Sequence, residues 1–249
     1  MSPKGCFRER ELDMMGRKSI EESQMTKLQM PEAALFDLDG TLFKTETLLT
    51  TVHRRVFETL REEGLYMKEQ PPVELLLGSL GMLLEHIWQK VMPDGSPQAQ
   101  ARANDLLLQY ELEELENGRG ELYPGVPETL RALKEKGIRL FVASNGLEAY
   151  VKDVPRLRGI ADLFDGFYSA GEYGTATKVD LVRLLLEKHG IRTAWMVGDR
   201  SSDVEAGKGN GLFAVGCDYA GFRKEGELDG ADAVIRSFPE LLDLMERIG

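Results

Sequence analysis

From Pro31 onward, short apolar runs alternate with amphipathic helical stretches, and this alternation narrows the possible folds more than any other feature of the chain. The runs are "EAALF" (32–36), "IRLFVAS" (138–144), "GFYSA" (166–170), "AWMVGD" (194–199), "GLFAVGC" (211–217) and "ADAVI" (231–235). Each is the length of a strand and apolar throughout, as expected when both faces are buried. Between them "PETLRALKEKG" (127–137), "KVDLVRLLLEKHG" (178–190) and "SSDVEAGKGN" (201–210) read as helices, and "FPELLDLMERI" (238–248) closes the pattern. The first two end on Gly137 and Gly190, where a helix C-cap glycine belongs. Strand, helix, strand, helix specifies an α/β fold with a parallel sheet covered on both faces.

One region breaks the rhythm. Residues 47–64, 72–91 and 96–118 carry apolar residues at three- and four-residue spacing with no strand-like run between them. The expected organisation is therefore a helical insert over 46–118 within a core formed by 30–45 and 119–249, with "ENGRG" (116–120) as a hinge and "GSLG" (78–81) as a loop facing the site. The acidic "YELEELE" (110–116) reads as a solvated helix face. His53, Arg54, Arg55, His86 and Trp88 lie on these helices, where such residues usually pack or face water. The polar segment 1–29 has no apolar signal-peptide region and is expected to lie outside the fold.

Composition removes several classes of function. A formal net charge of −11 and the lack of any basic cluster beyond "HRR" (53–55) argue against a nucleic-acid partner. No apolar stretch approaches the roughly 18 residues needed to span a membrane. The two cysteines, Cys6 and Cys217, form no CxxC pair, so a reducing cytoplasm is the expected compartment, with a monomer or dimer as the expected state.

Polar residues with chemical meaning gather at the ends of the runs. "DLDGT" (37–41) places Asp37 and Asp39 two positions apart, on one side if the chain is extended. Two adjacent carboxylates repel unless a cation holds them, and oxygen-rich sites of this kind suit Mg²⁺. An EF-hand loop is excluded, because no third ligand precedes Gly40 and the twelfth position is Leu48. "VASNG" puts Ser144 and Asn145 after a strand, where hydroxyl, amide and backbone N–H groups can cradle a phosphate. Lys178 begins a helix, where the macrodipole disfavours a cation, and "VGDRSSD" supplies Asp199 and Asp203. Taken singly, each piece is also an ordinary turn, cap or surface residue. "GKGNG" (207–211) follows a helix rather than a strand, and GxxxxGK[ST] is absent, so neither a dinucleotide loop nor a P-loop is expected.

The ordered set, Asp-x-Asp-Gly-Thr, then Ser-Asn, then Lys, then Gly-Asp-x-x-x-Asp, resembles the haloacid dehalogenase superfamily, specifically its phosphatase-type members with a helical cap after the first motif. The resemblance runs from Pro31 to the C-terminus. It implies a Rossmann-like sheet, a mobile cap and Mg²⁺-dependent phosphoryl transfer through an aspartyl-phosphate. Asp37 would be the nucleophile, and Asp39 the acid that protonates the leaving alcohol and then the base that activates water. Asp37, Asp199 and the backbone carbonyl of Asp39 would hold Mg²⁺, with Asp203 orienting the metal shell. Thr41, Ser144 and the backbone near Asn145 would grip phosphoryl oxygens, and Lys178 would neutralise charge. Lys44 stands where capped relatives often carry aspartate, and could meet an anionic part of the substrate or simply be a solvated hinge residue. The implied activity is hydrolysis of a small phosphorylated metabolite, as in phosphoglycolate phosphatases or nucleotidases. A sugar phosphomutase shares the whole core, and a catalytically weak binding protein would use it as a scaffold.

Overall fold

The computed structural model describes residues 30–82, 84–222 and 224–247, with the side chains of Leu84 and Glu85 also outside the description. The segment 1–29 thus lies outside the described residues. The elements, in chain order, are β1 (Ala33–Phe36), β2 (Phe43–Lys44), α1 (Glu46–Glu62), α2 (Val73–Leu77), α3 (Leu84–Val91), α4 (Pro97–Glu116), β3 (Glu121–Leu122), α5 (Val126–Glu135) and β4 (Arg139–Ser144). They continue with α6 (Glu148–Leu157), β5 (Gly166–Ser169), α7 (Ala170–Tyr173), α8 (Lys178–His189), β6 (Ala194–Gly198), α9 (Ser201–Gly209), β7 (Phe213–Cys217), β8 (Ala233–Ile235) and α10 (Glu240–Glu246).

Six of the strands form one parallel sheet in the order β5-β4-β1-β6-β7-β8. Strand β1 sits between β4 and β6, with Phe36 level with Val142 on one side and Val197 on the other. Alternate residues of each strand feed two different cores. Ala34, Phe36, Leu140, Val142, Trp195 and Val197 pack with Val126, Leu130, Val151 and Phe238. Ala33, Leu35, Phe141, Ala143 and Met196 pack with Leu181, Val182 and Leu185. The strands read as unbroken apolar runs because both faces are covered. The chain runs outward from β1 through β4 to β5, then crosses to β6 on the other side of β1 and runs out through β7 to β8, so a crevice opens at the carboxyl end of β1, where such sheets bind ligands.

Helices α1 and α4 form the body of the insert, with Ser96 capping α4 by accepting the Ala99 N–H at 3.1 Å. Their interior is aromatic: the Phe57 ring lies 5.5 Å from Tyr66 and 6.4 Å from Trp88. The stretch 72–91, one helical pattern in the sequence, is two helices separated by the "GSLG" loop. A two-residue antiparallel ribbon joins insert and core, pairing Phe43 with Leu122 and Lys44 with Glu121. It requires Gly120, which has φ of +88° and whose Cβ, if present, would lie 2.4 Å from the Phe43 ring.

The expected solvated face of "YELEELE" does not hold for every residue. Glu111 and Glu114 are buried. Glu114 is held by Arg55 and Arg119, each at 2.8 Å, because α4 packs on α1 and on α6 and leaves too little free surface to keep both in water. Among the described residues, no helix is long and apolar enough to cross a membrane.

Candidate active site

The chain does not stay extended through the first motif. Strand β1 stops at Phe36, the Asp37 N–H donates to the Val197 carbonyl at 2.9 Å, and the Leu38 carbonyl then accepts the N–H groups of Leu42 and Phe43. Gly40, at φ +80°, makes this tight turn possible, and a Cβ there would sit 2.5 Å from Asp199 Oδ2. Asp37 and Asp39 both line one cavity, but this turn places them there, not the strand alternation the spacing suggests.

Strand ends bring the other motifs to the same place. An oxygen from each of Asp37, Asp199 and Asp203 lies within 4.8 Å of the others. Lys178, the first residue of α8, bonds Asp37 Oδ1 and lies 2.5 Å from Asp203 Oδ1. That pairing is the reason a cation is tolerated at a helix N-terminus, and together the pairs hold the lysine well above the ordinary lysine range despite burial. Asp203 also accepts the Arg200 N–H at 3.0 Å at the start of α9. Asp199 is fully buried, and neither of its carboxylate oxygens has a hydrogen-bond partner.

Burial sets the protonation of this cluster. It pushes Asp199 well above the usual carboxylate range, reinforced by the charges of Asp37 and Asp203. It raises Asp203 to about 6, and it raises Asp37, both against the lowering influence of Lys178. Three buried carboxylates with one lysine between two of them, and with Arg200 Nε 3.9 Å from an Asp199 that accepts no hydrogen bond, have the donor chemistry that hard divalent cations take. These residues fit such an ion.

Asp39 stands apart from the cluster. Its Oδ1 accepts from the Thr45 hydroxyl at 2.5 Å and from the Tyr150 hydroxyl at 2.7 Å. Burial raises its pKa in spite of both bonds. Ser144 Oγ lines the cavity and accepts the Gly146 N–H at 3.2 Å. Asn145 also lines it, but its amide donates to the Gly81 carbonyl of the "GSLG" loop at 2.7 Å, tying insert to core. Thr41 Oγ1 is buried without a partner. Lys44 lies in the ribbon beside Glu121 and is not among the cavity-lining residues. His53, Arg55 and Trp88 are likewise absent from the lining. His53 meets Gln70, Arg55 meets Glu113 and Glu114, and Trp88 donates to Asn104.

Three residues at the site carried no individual signal in the sequence. Thr45 and Tyr150 reach Asp39 only through the fold. Glu111 completes a stripe with Asn104, Leu107 and Leu108 along α4, all four lining the cavity. That spacing is visible in the sequence, but which face looks inward is not.

Two acids two residues apart, a buried lysine and an acid cluster that fits a cation gather at the carboxyl edge of a parallel sheet, the arrangement of a phosphoryl-processing α/β hydrolase. The chain belongs to the haloacid dehalogenase-like hydrolase family, whose profile matches residues 31–211, and it is a phosphatase-type hydrolase of that family. It is 30% identical to the phosphoglycolate phosphatase of Nitrosospira multiformis, over 87% of this chain and 96% of that protein. It is 32% identical to the phosphoglycolate phosphatase of Rhodospirillum rubrum, over 86% of this chain and 90% of that protein. Among solved structures, CbbY from Rhodobacter sphaeroides in complex with phosphate superposes with a TM-score of 0.69 at 26% identity, covering 87% of this chain and 99% of that one.

Proposed function

We propose that the protein is a Mg²⁺-dependent phosphatase that hydrolyses a small organic phosphate monoester through an aspartyl-phosphate on Asp37. The observation that carries this reading is the fully buried Asp199 carboxylate, which accepts no hydrogen bond, has Arg200 Nε 3.9 Å away, and lies within reach of Asp37 and Asp203. Asp37, Asp199 and the Asp39 carbonyl would hold the ion, with Asp203 orienting the shell. When bound, Mg²⁺ supplies positive charge that lets an anionic carboxylate approach an anionic phosphoryl group.

The chain's own residues do the rest. Asp37 attacks phosphorus, and the P–O bond to the leaving alcohol breaks. Asp39, whose pKa burial raises, gives its proton to that oxygen and then takes one from the water that cleaves the acyl-phosphate. Thr45 and Tyr150 fix Asp39 by holding Oδ1, which leaves Oδ2 to handle the proton. Ser144, Thr41 and the backbone around Asn145 bind phosphoryl oxygens, and Lys178 balances the charge on Asp37 and phosphate. Residues 46–118 act as the cap over the core; the Gly81 carbonyl of "GSLG" accepts from Asn145, and Arg200 donates to the carbonyl of Leu77, the last residue of α2, at 3.1 Å. The names of the relatives support a small phosphorylated metabolite as substrate. A reducing cytoplasm suits the buried free thiol of Cys217, and a monomer or dimer is the proposed state.

Purified protein screened with Mg²⁺ against a broad phosphate-ester library tests this reading. Release of inorganic phosphate is expected. An isomerised sugar phosphate from a hexose 1-phosphate would instead assign a mutase, and no turnover of any ester would assign a binding protein.

A further inference from the structure

Helix α4 turns one face to the cavity above Asp37 and Asp39. Asn104, Leu107, Leu108 and Glu111 all line it, at the i, i+3, i+4, i+7 spacing that keeps residues on one side of a helix. Much of the remaining cap wall is apolar, with Leu49, Leu76, Leu80 and Ile87. Glu111 ends the stripe within electrostatic reach of Asp39. Asn104 stands two turns back along α4, about 10 Å away by the helix rise, and so is set back from the reacting end.

The chemistry of its partner fixes how the Asn104 amide points. Trp88, on α3, donates its indole N–H to Asn104 Oδ1. An indole nitrogen only donates, so the amide oxygen must face it and the NH₂ end is turned away. Trp88 is itself held in place, being 1% exposed with its ring packed against Phe57. Among the described residues Asn104 Nδ2 has no acceptor, while the residue lines the cavity. The other amide and hydroxyl donors on the lining are committed elsewhere: Tyr150 donates to Asp39, Asn145 donates to the Gly81 carbonyl, and Ser144 belongs to the phosphoryl end. A substrate that fills the chamber strips water from the Asn104 NH₂, which is costly unless the substrate supplies an acceptor.

Resting on the phosphatase reading above, we propose that Asn104 is the specificity residue for the leaving group, with Trp88 as its positioning residue. The substrates it selects are monoesters whose leaving alcohol carries a hydrogen-bond acceptor, such as a carbonyl oxygen, at the end away from phosphorus. The phosphoryl end sits over Asp37, the middle of the alcohol runs past Leu107 and Leu108, and the far acceptor takes the Asn104 N–H. A site built to bond a polar group rejects the analogue that lacks it, because its own donor is then left unpaired.

The test is kcat/KM with Mg²⁺ on matched pairs of esters, beside p-nitrophenyl phosphate. Each pair is a methyl-ketone alkyl phosphate, with its carbonyl four to seven carbons from the ester oxygen, and the hydrocarbon in which CH–CH₃ replaces C=O. The carbonyl is too distant to change the basicity of the leaving oxygen, so the ratio within a pair reads the far end alone. In the native protein the ratio is expected to peak at one chain length, at about 10-fold or more in favour of the ketone. Asn104→Leu removes the donors at similar size and should bring that ratio to about 1 or below. Asn104→Asp, ionised at about pH 7.5, leaves an oxygen for the Trp88 N–H but takes away the NH₂ end, and should lose the preference as well. A role limited to holding Trp88 would leave the preference intact in that variant. Trp88→Phe frees the amide to turn and should cut the ratio by about 3-fold or more, and an unchanged ratio would overturn the part given to Trp88. These ratios are taken within each protein, so a general loss of activity in a variant does not enter them. A native ratio within about 2-fold of unity at every length, no turnover of any ketone ester, or a preference that survives in Asn104→Asp would overturn the role of Asn104, while p-nitrophenyl phosphate turnover kept the phosphatase reading intact. Failure of the native protein on every ester would remove that reading and this proposal together.

Discussion

Replacing Lys178 with methionine keeps the length of the side chain and removes the cation that bonds Asp37 and Asp203, leaving Arg200, 3.9 Å from Asp199, as a second buried cation beside the cluster. The side chain is 1% exposed and bonds two carboxylates, Asp37 and Asp203, which are themselves buried. Breaking a buried ion pair by deleting one partner costs ~3–5 kcal/mol, because the surviving charge is left without a counterion. With two carboxylates stranded, the upper half of that range applies above pH 6, about 4–5 kcal/mol. For a chain of this length, each kcal/mol moves Tm by about 2–4 °C, so metal-free protein should melt about 8–20 °C lower than the native form at about pH 7.5.

The pH dependence has a definite sign. Asp203 has its pKa raised to about 6 in the folded protein, and losing Lys178 raises it further. Stability from a carboxyl with a raised folded pKa is present at low pH and is lost as pH rises through that value. The penalty for Lys178→Met should therefore shrink by half or more at about pH 5.5, where the stranded acids take up protons. Thermal unfolding followed by circular dichroism, in chelator at both pH values, measures this. A variant that melts within about 1 °C of the native protein at the higher pH would refute the reasoning, because the cluster would then not depend on its lysine.

Other expectations follow from the same geometry. Gly40→Ala must force a non-glycine residue to φ +80° and a methyl group to 2.5 Å from Asp199 Oδ2, so Mg²⁺ affinity by titration calorimetry should fall at least ~10-fold with the fold retained, the backbone strain alone being ~1–2 kcal/mol. Tyr150→Phe removes a donor to Asp39, and the apparent pKa belonging to Asp39 in the pH–rate profile should rise by up to about one unit, since a lost donor favours the protonated acid. Mg²⁺ competes with protons for the raised carboxyls of Asp37, Asp199 and Asp203, so the Tm gain on adding it should be larger at about pH 7.5 than at about pH 5.5, and an equal gain at both would count against those ligands.

The central sheet was readable from the sequence because its inner strands β1, β4, β6 and β7 are buried on both faces and so appear as continuous apolar runs, while the edge strand β8 in "ADAVI" leaves Val234 exposed. The polar residues gathered at the carboxyl end of β1 were readable because Asp37, Asp39, Ser144 and Asp199 lie at or just past strand ends, where the chain must turn, and Lys178 because it opens a helix. The ribbon of Phe43–Lys44 with Glu121–Leu122 was not readable, since two residues carry no period. The pattern over 72–91 has helical spacing on both sides of "GSLG", and the break between α2 and α3 falls where Asn145 holds the Gly81 carbonyl of that loop and Arg200 holds the Leu77 carbonyl just before it. Tyr150 carries no signal of its own in the sequence, and its hydroxyl finds Asp39 because α6 starts directly behind the Ser144–Asn145 turn. Glu111 and Glu114 sit in one acidic run, and sequence gives no means of telling which acid meets arginine and which meets the cavity.

The account stands on Asp37 receiving the phosphoryl group. Acid-quenching the enzyme during turnover of a phosphate ester with Mg²⁺, followed by peptide mapping, tests this directly. The account predicts an acid-stable, alkali-labile phosphoryl group on the peptide containing Asp37, absent from Asp37→Asn, whose turnover falls by roughly a thousandfold or more. Full turnover by Asp37→Asn, or a phosphoryl group on any other side chain, would contradict it.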